Sequence, residues 1–378
     1  MKGYCAKNQK MINITKIFID KKTEDEVKKV LLSGFLAQGE RVKELERQLC
    51  DINRTKYAAV VNSGTAALHT ALASLGLKKG DEVITTPFSF IATANTILMC
   101  NAKPVFVDIK EGTFNIDPDL IEAKISKKTK AILTVDLYGL SCDYEKIRRI
   151  ARKHNLKVIS DSCQAIGASY MKKPIAKWVD VACFSFYATK NIMMGEGGAL
   201  VTDNNEIYEF ARRFRQHGQD QEKPYIYHHI GYNYRSTDVL ASIGLAQIGN
   251  LKQWTEKRNQ NARRLVTKLK NIPGLVLPES TDGTAHAYHQ FTVRITGDFP
   301  IKRAELIKYL LENGVRSAVY YPSVIPMQPH IKKITPYKKG MYPVAETLSN
   351  QVLSLPVHPF LKNSEIDLMV SLIKKAAK

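Results

Sequence analysis

Three short stretches carry residues whose types could do chemistry together. The first is CFSFYATKNIMMGEGG, residues 183–198, in which Lys190 ends an apolar run and a glycine cluster surrounds Glu196. A lysine at a buried strand end is partly desolvated, which lowers its pKa and frees the amine for a Schiff base. Taken alone, a lysine at a strand end is usually a surface residue. The second stretch is VISDSCQAIGA, where Asp161 follows a β-branched run and precedes Gln164 and Gly167. Such a carboxylate is either a helix N-cap or the partner of a protonated pyridine nitrogen, which needs a nearby anion in apolar surroundings. The third is Ser63-Gly64-Thr65, just before an alanine-rich helix from Ala66. There the choice lies between a plain cap and a phosphate cradle built from unpaired backbone N–H groups.

The elements around these residues fix where they can meet. KKTEDEVKKVLL and RVKELERQLC have helical spacing, with SGFLAQGE as a loop between them. From there the pattern alternates. YAAVV, DEVITTPFSF, PVFVDI, AILTVDLY and VISDS read as strands, whereas IATANTILMC, PDLIEAKI and YEKIRRIARKH read as helices. VDVACFSF and GALVTD are two further strands flanking Lys190. This alternation predicts an α/β fold, a mostly parallel sheet sandwiched by helices, with ligands at the carboxyl ends of the strands. A long helical stretch after STDVLASIGLAQIGNLKQW runs on to about Lys270 and leads into HQFTVRI, AELIKYLLENG, VYYPSV and a closing helix from Ser364. We therefore expect a large cofactor-binding domain with an N-terminal helical segment over residues 1–250, and a smaller α+β domain over 251–378.

Composition bounds the function. The 378 residues are 44% hydrophobic and 24% charged, as in an ordinary globular protein. No run of 18 apolar residues occurs, and MKGYCAKNQKMINITKIFID lacks the plan of a signal peptide, so a cytoplasmic protein without membrane attachment is expected. The cysteines Cys5, Cys50, Cys100, Cys142, Cys163 and Cys183 form no C-x-x-C pair, and neither a disulfide frame nor a structural metal is expected. The net charge of +20 raises the question of nucleic acid. Because the lysines are spread along the chain, the sequence favours a solvated basic surface without a nucleic-acid partner.

With a cradle, a strand-end Asp and a strand-end Lys in this order, the sequence resembles the DegT/DnrJ/EryC1/StrS family of sugar aminotransferases, a branch of the fold type I pyridoxal phosphate enzymes. The resemblance runs over nearly the whole chain. It rests on VNSGTAALHTALASLGLKKGDEVITTPFSFIATANTI, KPVFVDI, DLYG, ISDSCQAIGA, FSFYATKNIMMGEGGALVT, GYNYRSTDVLASIGLAQI and SLPVHP.

The resemblance implies roles residue by residue. Lys190 would carry pyridoxal 5'-phosphate as a Schiff base and move the proton between cofactor and substrate carbons. Asp161 would pair with the pyridinium nitrogen, Gln164 would bond the ring hydroxyl, and Phe90 would stack on the ring. Ser63, Gly64, Thr65 and Ser185 would hold the phosphate. Asn233 would reach the phosphate in a neighbouring subunit, implying a homodimer with shared sites. Arg235 is a candidate for a donor carboxylate, because guanidinium grips carboxylate in two bonds. Asp136, His289, Tyr320 and Tyr321 fall where the sugar is expected; Asp136 and Tyr320 stand where many members have histidine.

The implied reaction moves an amino group, by resemblance from L-glutamate, to a nucleotide-linked 3- or 4-keto sugar, with the cofactor cycling through pyridoxamine 5'-phosphate. The product would serve amino-sugar, cell-surface polysaccharide or glycoconjugate synthesis. Related dehydratases replace the lysine by histidine, so Lys190 argues against that chemistry. An aminotransferase for a small non-sugar metabolite, and a basic regulatory protein on the same fold, are the remaining alternatives.

Overall fold

A computed structural model describes residues 11–279 and 281–378; Cys5 and the start of the chain lie outside them. In chain order the first half comprises α1 (Lys21–Ser33), α2 (Glu40–Asn53), β1 (Tyr57–Val61), α3 (Gly64–Ala73), β2 (Glu82–Thr85), α4 (Ala92–Met99), β3 (Lys103–Phe106) and β4 (Thr129–Val135). Then come α5 (Tyr144–Lys153), β5 (Lys157–Asp161), β6 (Ser169–Tyr170), β7 (Lys173–Pro174), β8 (Val181–Ser185), β9 (Gly198–Thr202) and α6 (Asn205–Phe214). The remainder holds α7 (Asp238–Ile248), α8 (Leu251–Leu269), β10 (Leu275–Val276), β11 (Thr284–Ala285), β12 (Phe291–Ile295) and α9 (Arg303–Glu312). It closes with α10 (Pro329–Lys332), α11 (Pro343–Gln351), β13 (Val352–Leu355) and α12 (Asn363–Ala376).

Seven strands form the central sheet in the order β1, β9, β8, β5, β4, β2, β3. Alternate residues of each strand face opposite sides, so both faces are apolar and both must be covered. Ala59, Val61, Leu133 and Ile159 pack with Ala67, Leu68, Ala71 and Leu72 of α3 and with Ile207 and Ala211 of α6. Ala58, Val60, Ala182 and Val201 face α2 and α7 on the other side, while Ile132 and Val158 face Tyr144, Ile147 and Ala151 of α5.

Strand β9 runs antiparallel to both its neighbours, β1 and β8, and the other pairs are parallel. The cause is local. The connection from Phe186 to Gly197 contains no helix, and only a crossover element could return the chain for a parallel pairing. This reversal hangs the loop bearing Lys190 over the carboxyl end of β8, at the same edge of the sheet as Asp161 on β5.

A second sheet, β10, β12 and β13, is antiparallel and packs with α8, α9 and α12 into a separate core. Ile12 joins that core, pairing with Val315 through Ile12 N to Gly314 O at 2.8 Å and Arg316 N to Ile12 O at 2.9 Å.

Two expectations, for PDLIEAKI and VYYPSV, are corrected. PDLIEAKI forms two 3₁₀ turns, Pro118–Leu120 and Glu122–Lys124, because the backbone turns extended at Ile125 and leaves too few residues for a cooperative α-helix. The long helix running to about Lys270 is α8, which Gly249 and Asn250 separate from α7. VYYPSV adds no strand to either sheet, since Tyr321 sits at φ 62° and Pro322 has no N–H to give.

Gly198 shows how closely these pieces meet. A Cβ there would lie 2.3 Å from Ser63 O and 2.7 Å from Gly64 N, both backbone atoms. Gly198→Ala is expected to cost about 1–3 kcal/mol, as overpacking does, and to lower the thermal midpoint by several degrees. An unchanged melting curve would show that the start of α3 can shift away from β9.

Candidate active site

Lys190 is held by a turn in which its backbone N–H donates to Tyr187 O at 2.9 Å, with Met194 N tied back to Phe186 O at 2.8 Å. Met193 and Met194 are buried and support this loop from beneath. The side chain keeps part of its surface open to a cavity, yet protein surrounds it closely enough for burial to lower its pKa from the ordinary 10.5. The nearby Cys163 and Asp161 pull the other way without cancelling that effect.

Asp161 closes β5 and is buried. Its Oδ2 accepts from Thr93 Oγ1 at 2.8 Å, and its Oδ1 accepts weakly from Cys163 N at 3.3 Å. Two oxygens bound by two donors leave lone pairs for another N–H. Gln164 is pinned at both ends: Oε1 accepts from Tyr138 N at 2.9 Å, and Nε2 donates to Tyr321 Oη at 2.8 Å. One N–H of its amide remains for a ligand.

Ser63 caps α3, its Oγ accepting from Ala66 N at 3.1 Å. Gly64 cannot be larger, because a Cβ would stand 2.8 Å from Ser185 Cβ and 2.9 Å from Cys163 Sγ. The close approach puts the first N–H groups of α3 beside Ser185, an arrangement suited to an anion.

These groups converge on one cavity of about 370 Å³. Ser63, Gly64, Thr65, Phe90, Asp161, Gln164, Ser185, Lys190, His289, Tyr320 and Tyr321 all line it. Phe90 is 58% exposed, a large aromatic face open to whatever enters. His289 is buried, its Nδ1 3.3 Å from Asn191 Oδ1, and burial, with the charges of Lys190 and Arg258, drives its pKa well below 6.5. Its ring is therefore neutral at physiological pH.

Three expected residues lie elsewhere. Asn233 is exposed and outside the cavity, its carbonyl accepting from Asn62 Nδ2 at 3.2 Å; Arg235 is partly buried and also outside. Asp136 is the clear correction. It is fully buried, with carboxylate oxygens taking Cys142 N at 3.0 Å, Tyr144 Oη at 2.8 Å and Ser162 Oγ at 2.7 Å, as well as the hydroxyl of Ser160. These donors consume its bonding capacity, so no substrate hydroxyl is offered a free acceptor there.

Comparison with known proteins shows the family. The family model described as the DegT/DnrJ/EryC1/StrS aminotransferase family matches residues 18–374. The chain belongs to that family. A "Pleiotropic regulatory protein" of Geobacillus stearothermophilus is 41% identical, covering 91% of each chain. The "UDP-2-acetamido-2-deoxy-3-oxo-D-glucuronate aminotransferase" of Pseudomonas aeruginosa is 36% identical over 93% of this chain and 95% of its own. Among solved structures, the PLP-form of the "putative sugar aminotransferase Spr1654" of Streptococcus pneumoniae superposes with a TM-score of 0.91 at 28% identity, covering 97% of this chain and 98% of that one.

Sequence reasoning missed several residues that this DegT-family aminotransferase places in or behind the cavity. Thr93 reaches Asp161 from α4, and Asn191 reaches His289 while its Nδ2 donates to Ala287 O at 2.9 Å. Glu196, Cys163 and Gln290 line the wall. Thr93 had no motif spacing to reveal it, whereas Cys163, Asn191 and Glu196 lay within stretches already singled out. Among the described residues, no group of three or more His, Cys, Asp or Glu side chains is placed to hold a metal.

Two predictions follow from these environments. Asp136→Ala strands several buried hydroxyl and N–H donors and is expected to destabilise by roughly 2–4 kcal/mol, read by urea melts. In the surviving folded enzyme the KM for substrate should stay the same; a raised KM with unchanged stability would restore a substrate role. For Lys190 the sign runs through its lowered pKa. Below the folded pKa the unfolded and folded chains are both protonated, and the full desolvation penalty opposes folding; it is relieved as pH rises toward 10.5. Lys190→Met is thus expected to stabilise the cofactor-free protein at pH 7 and to flatten the rise in stability toward pH 10 in denaturant melts.

Proposed function

We propose that this chain is a pyridoxal 5'-phosphate-dependent aminotransferase that moves an amino group from L-glutamate to a nucleotide-linked keto sugar. The observation that carries the reading is the meeting of a desolvated lysine and a strand-end carboxylate in one cavity with a helix N-terminus. The residues fit the cofactor: the volume is that of a small-molecule site, and each polar feature of the cofactor has a counterpart with unused bonding capacity. When bound, pyridoxal phosphate supplies an electrophilic carbon and an electron-withdrawing ring that stabilises negative charge on the substrate carbon.

The protein's own groups do the rest. The N–H groups of Gly64 and Thr65, with Ser63 and Ser185, would bind the phosphate, and Asp161 would keep the ring nitrogen protonated. The second amide N–H of Gln164 would bind the ring hydroxyl, its orientation set by Tyr138 and Tyr321. Phe90 would cover the ring. Lys190, with its pKa lowered by burial, holds a larger share of free amine near neutrality than an exposed lysine, so it can attack a carbonyl and shuttle a proton at Nζ.

The sugar substrate is supported by the family and by the Pseudomonas relative, whose name specifies a UDP-linked 3-oxo sugar acid. We take the keto carbon to be at position 3 or 4. Tyr320, Tyr321 and His289 line the part of the wall available to it. The exposed Asn233 and the outlying Arg235 fit an enzyme in which a second copy completes each site, so we take the working form to be a homodimer. A cytoplasmic setting fits the five free cysteines among the described residues. No described helix is long and apolar enough to cross a membrane. The Geobacillus relative is named for regulation, but a protein that only regulates has no need of a desolvated lysine facing a carboxylate.

Purified protein given the cofactor should absorb in the violet and lose that band when L-glutamate is added. Lys190→Ala should retain the cofactor without the covalent band and turn over at least about 10³-fold more slowly. Asp161→Asn should fold normally and slow the half-reaction by about 10²-fold or more. Turnover of the Lys190→Ala variant at the native rate would overturn the proposal, as would glutamate leaving the band unchanged while a different amine bleached it.

A further inference from the structure

The positive charge is dispersed in the sequence, but folding gathers part of it at the edge of the sheet away from the catalytic cavity. Three contiguous hollows run there. One of about 700 Å³ lies between α5 and Trp178, a second of about 300 Å³ shares Arg148, Arg152 and Trp178 with it, and a third of about 710 Å³ shares Asn155 and Leu156 with the second. Their walls bring Lys127 and Lys130, from the turn entering β4, into line with Arg148, Arg149 and Arg152 of α5. None of these five cations forms an ion pair among the described residues.

The acids nearby are engaged elsewhere. Asp143 caps α5 through Lys146 N at 3.2 Å and accepts from Tyr170 Oη at 3.0 Å. Glu122 pairs with Lys153 at 2.5 Å and His154 at 2.7 Å, and Asp180 pairs with Lys157 at 3.4 Å. Asp143 and Glu145 line the groove without an ion pair among the described residues, and of the two only Asp143 is held by hydrogen bonds. Arg148 and Arg152 stand one helical turn apart, a like-charge pairing that disfavours the empty groove. Burial, together with the charge of Arg152, lowers the pKa of Arg148. Five cations without an ion pair against two carboxylates call for an anion, and three successive hollows suit one that repeats along a chain.

We propose that this groove binds single-stranded nucleic acid through its phosphate backbone, at a site separate from the aminotransferase cavity. A flexible strand can follow a concave path that a rigid duplex cannot enter. The ring of Trp178 already engages Arg148 at 5.8 Å and Lys173 at 5.6 Å, and contacts to phosphate carry no sequence information, so the binding is independent of sequence. Strand β5 separates the two sites. It runs from Lys157 beside the groove to Asp161 in the cavity, roughly 13 Å at the rise of a strand, so both can be filled together. The expectation of a merely solvated surface rested on spacing along the chain, which does not show that Lys127 and Arg152 line adjoining hollows.

The test is fluorescence anisotropy of labelled oligothymidylate with the cofactor-loaded protein over a salt series. Arg149→Glu/Arg152→Glu reverses two exposed groove charges, and Lys374→Glu/Lys375→Glu on α12 makes the same change in net charge elsewhere. The groove variant should lose at least about tenfold in affinity and lower the salt slope by about two, and the α12 variant should change by less than about twofold. Unchanged aminotransferase activity in both variants checks that they fold. Equal losses in the two variants would overturn the proposal, since they would show an unlocalised charge effect. So would the absence of binding at low salt, or displacement of the strand by tripolyphosphate as readily as by unlabelled oligonucleotide at equal phosphate.

Discussion

Removing the Lys190 amine from bulk water is the constraint around which the large sheet is arranged. An ammonium loses hydration when enclosed, and nothing in the loop from Phe186 to Gly197 compensates for that by itself. The compensation is spread through the surrounding fold: apolar β8 beneath, the buried methionines behind, and the helices that cover both faces of the sheet. A lysine on a solvated turn would have the same chemistry in principle and a smaller share of free amine near neutrality. The energetic cost and the reactivity are one property seen from two sides.

The antiparallel reversal at β9 makes this arrangement possible. With a helix between β8 and β9, as between β4 and β5, the chain after β8 would leave across a face of the sheet. The short return keeps it at the carboxyl edge and draws Gly198 against Ser63 and Gly64 so tightly that no side chain fits. Three segments far apart in sequence thereby share one small volume. Their spacing depends on small residues at the contact points, with Gly64 against Ser185 and Cys163, and Gly198 against the turn before α3.

Much of this was legible in the sequence because period and punctuation report it directly. Alternating apolar strands and helices announce a layered sheet, and Lys190, Asp161 and Ser63-Gly64-Thr65 stand at strand ends, where such sheets place their chemistry. The parts that were not legible depend on partners from another segment. Thr93 sits in α4, four strands and helices away in the chain from the carboxylate it holds, and no pattern within IATANTILMC marks it. PDLIEAKI has helical composition but too little length before the backbone extends at Ile125. The break between α7 and α8 carries only a lone glycine, a signal that many continuous helices tolerate.

Asp136 and Asp161 show the limit most sharply. They lie at the carboxyl edge of adjacent parallel strands, Val135 paired with Asp161 and Asp136 N donating to Asp161 O at 3.1 Å. Both follow apolar strands and both precede a turn, so sequence offers the same reading for each. Their fates differ through side-chain partners alone. Tyr144, Ser160, Ser162 and Cys142 N surround Asp136 and exhaust its oxygens, and burial still raises its pKa above the ordinary carboxylate value. Asp161 receives only Thr93 and a long contact from Cys163 N, and it faces the cavity. A carboxylate becomes available for chemistry here by being left incompletely bonded, and that depends on which hydroxyls the neighbouring strands and helix bring to it.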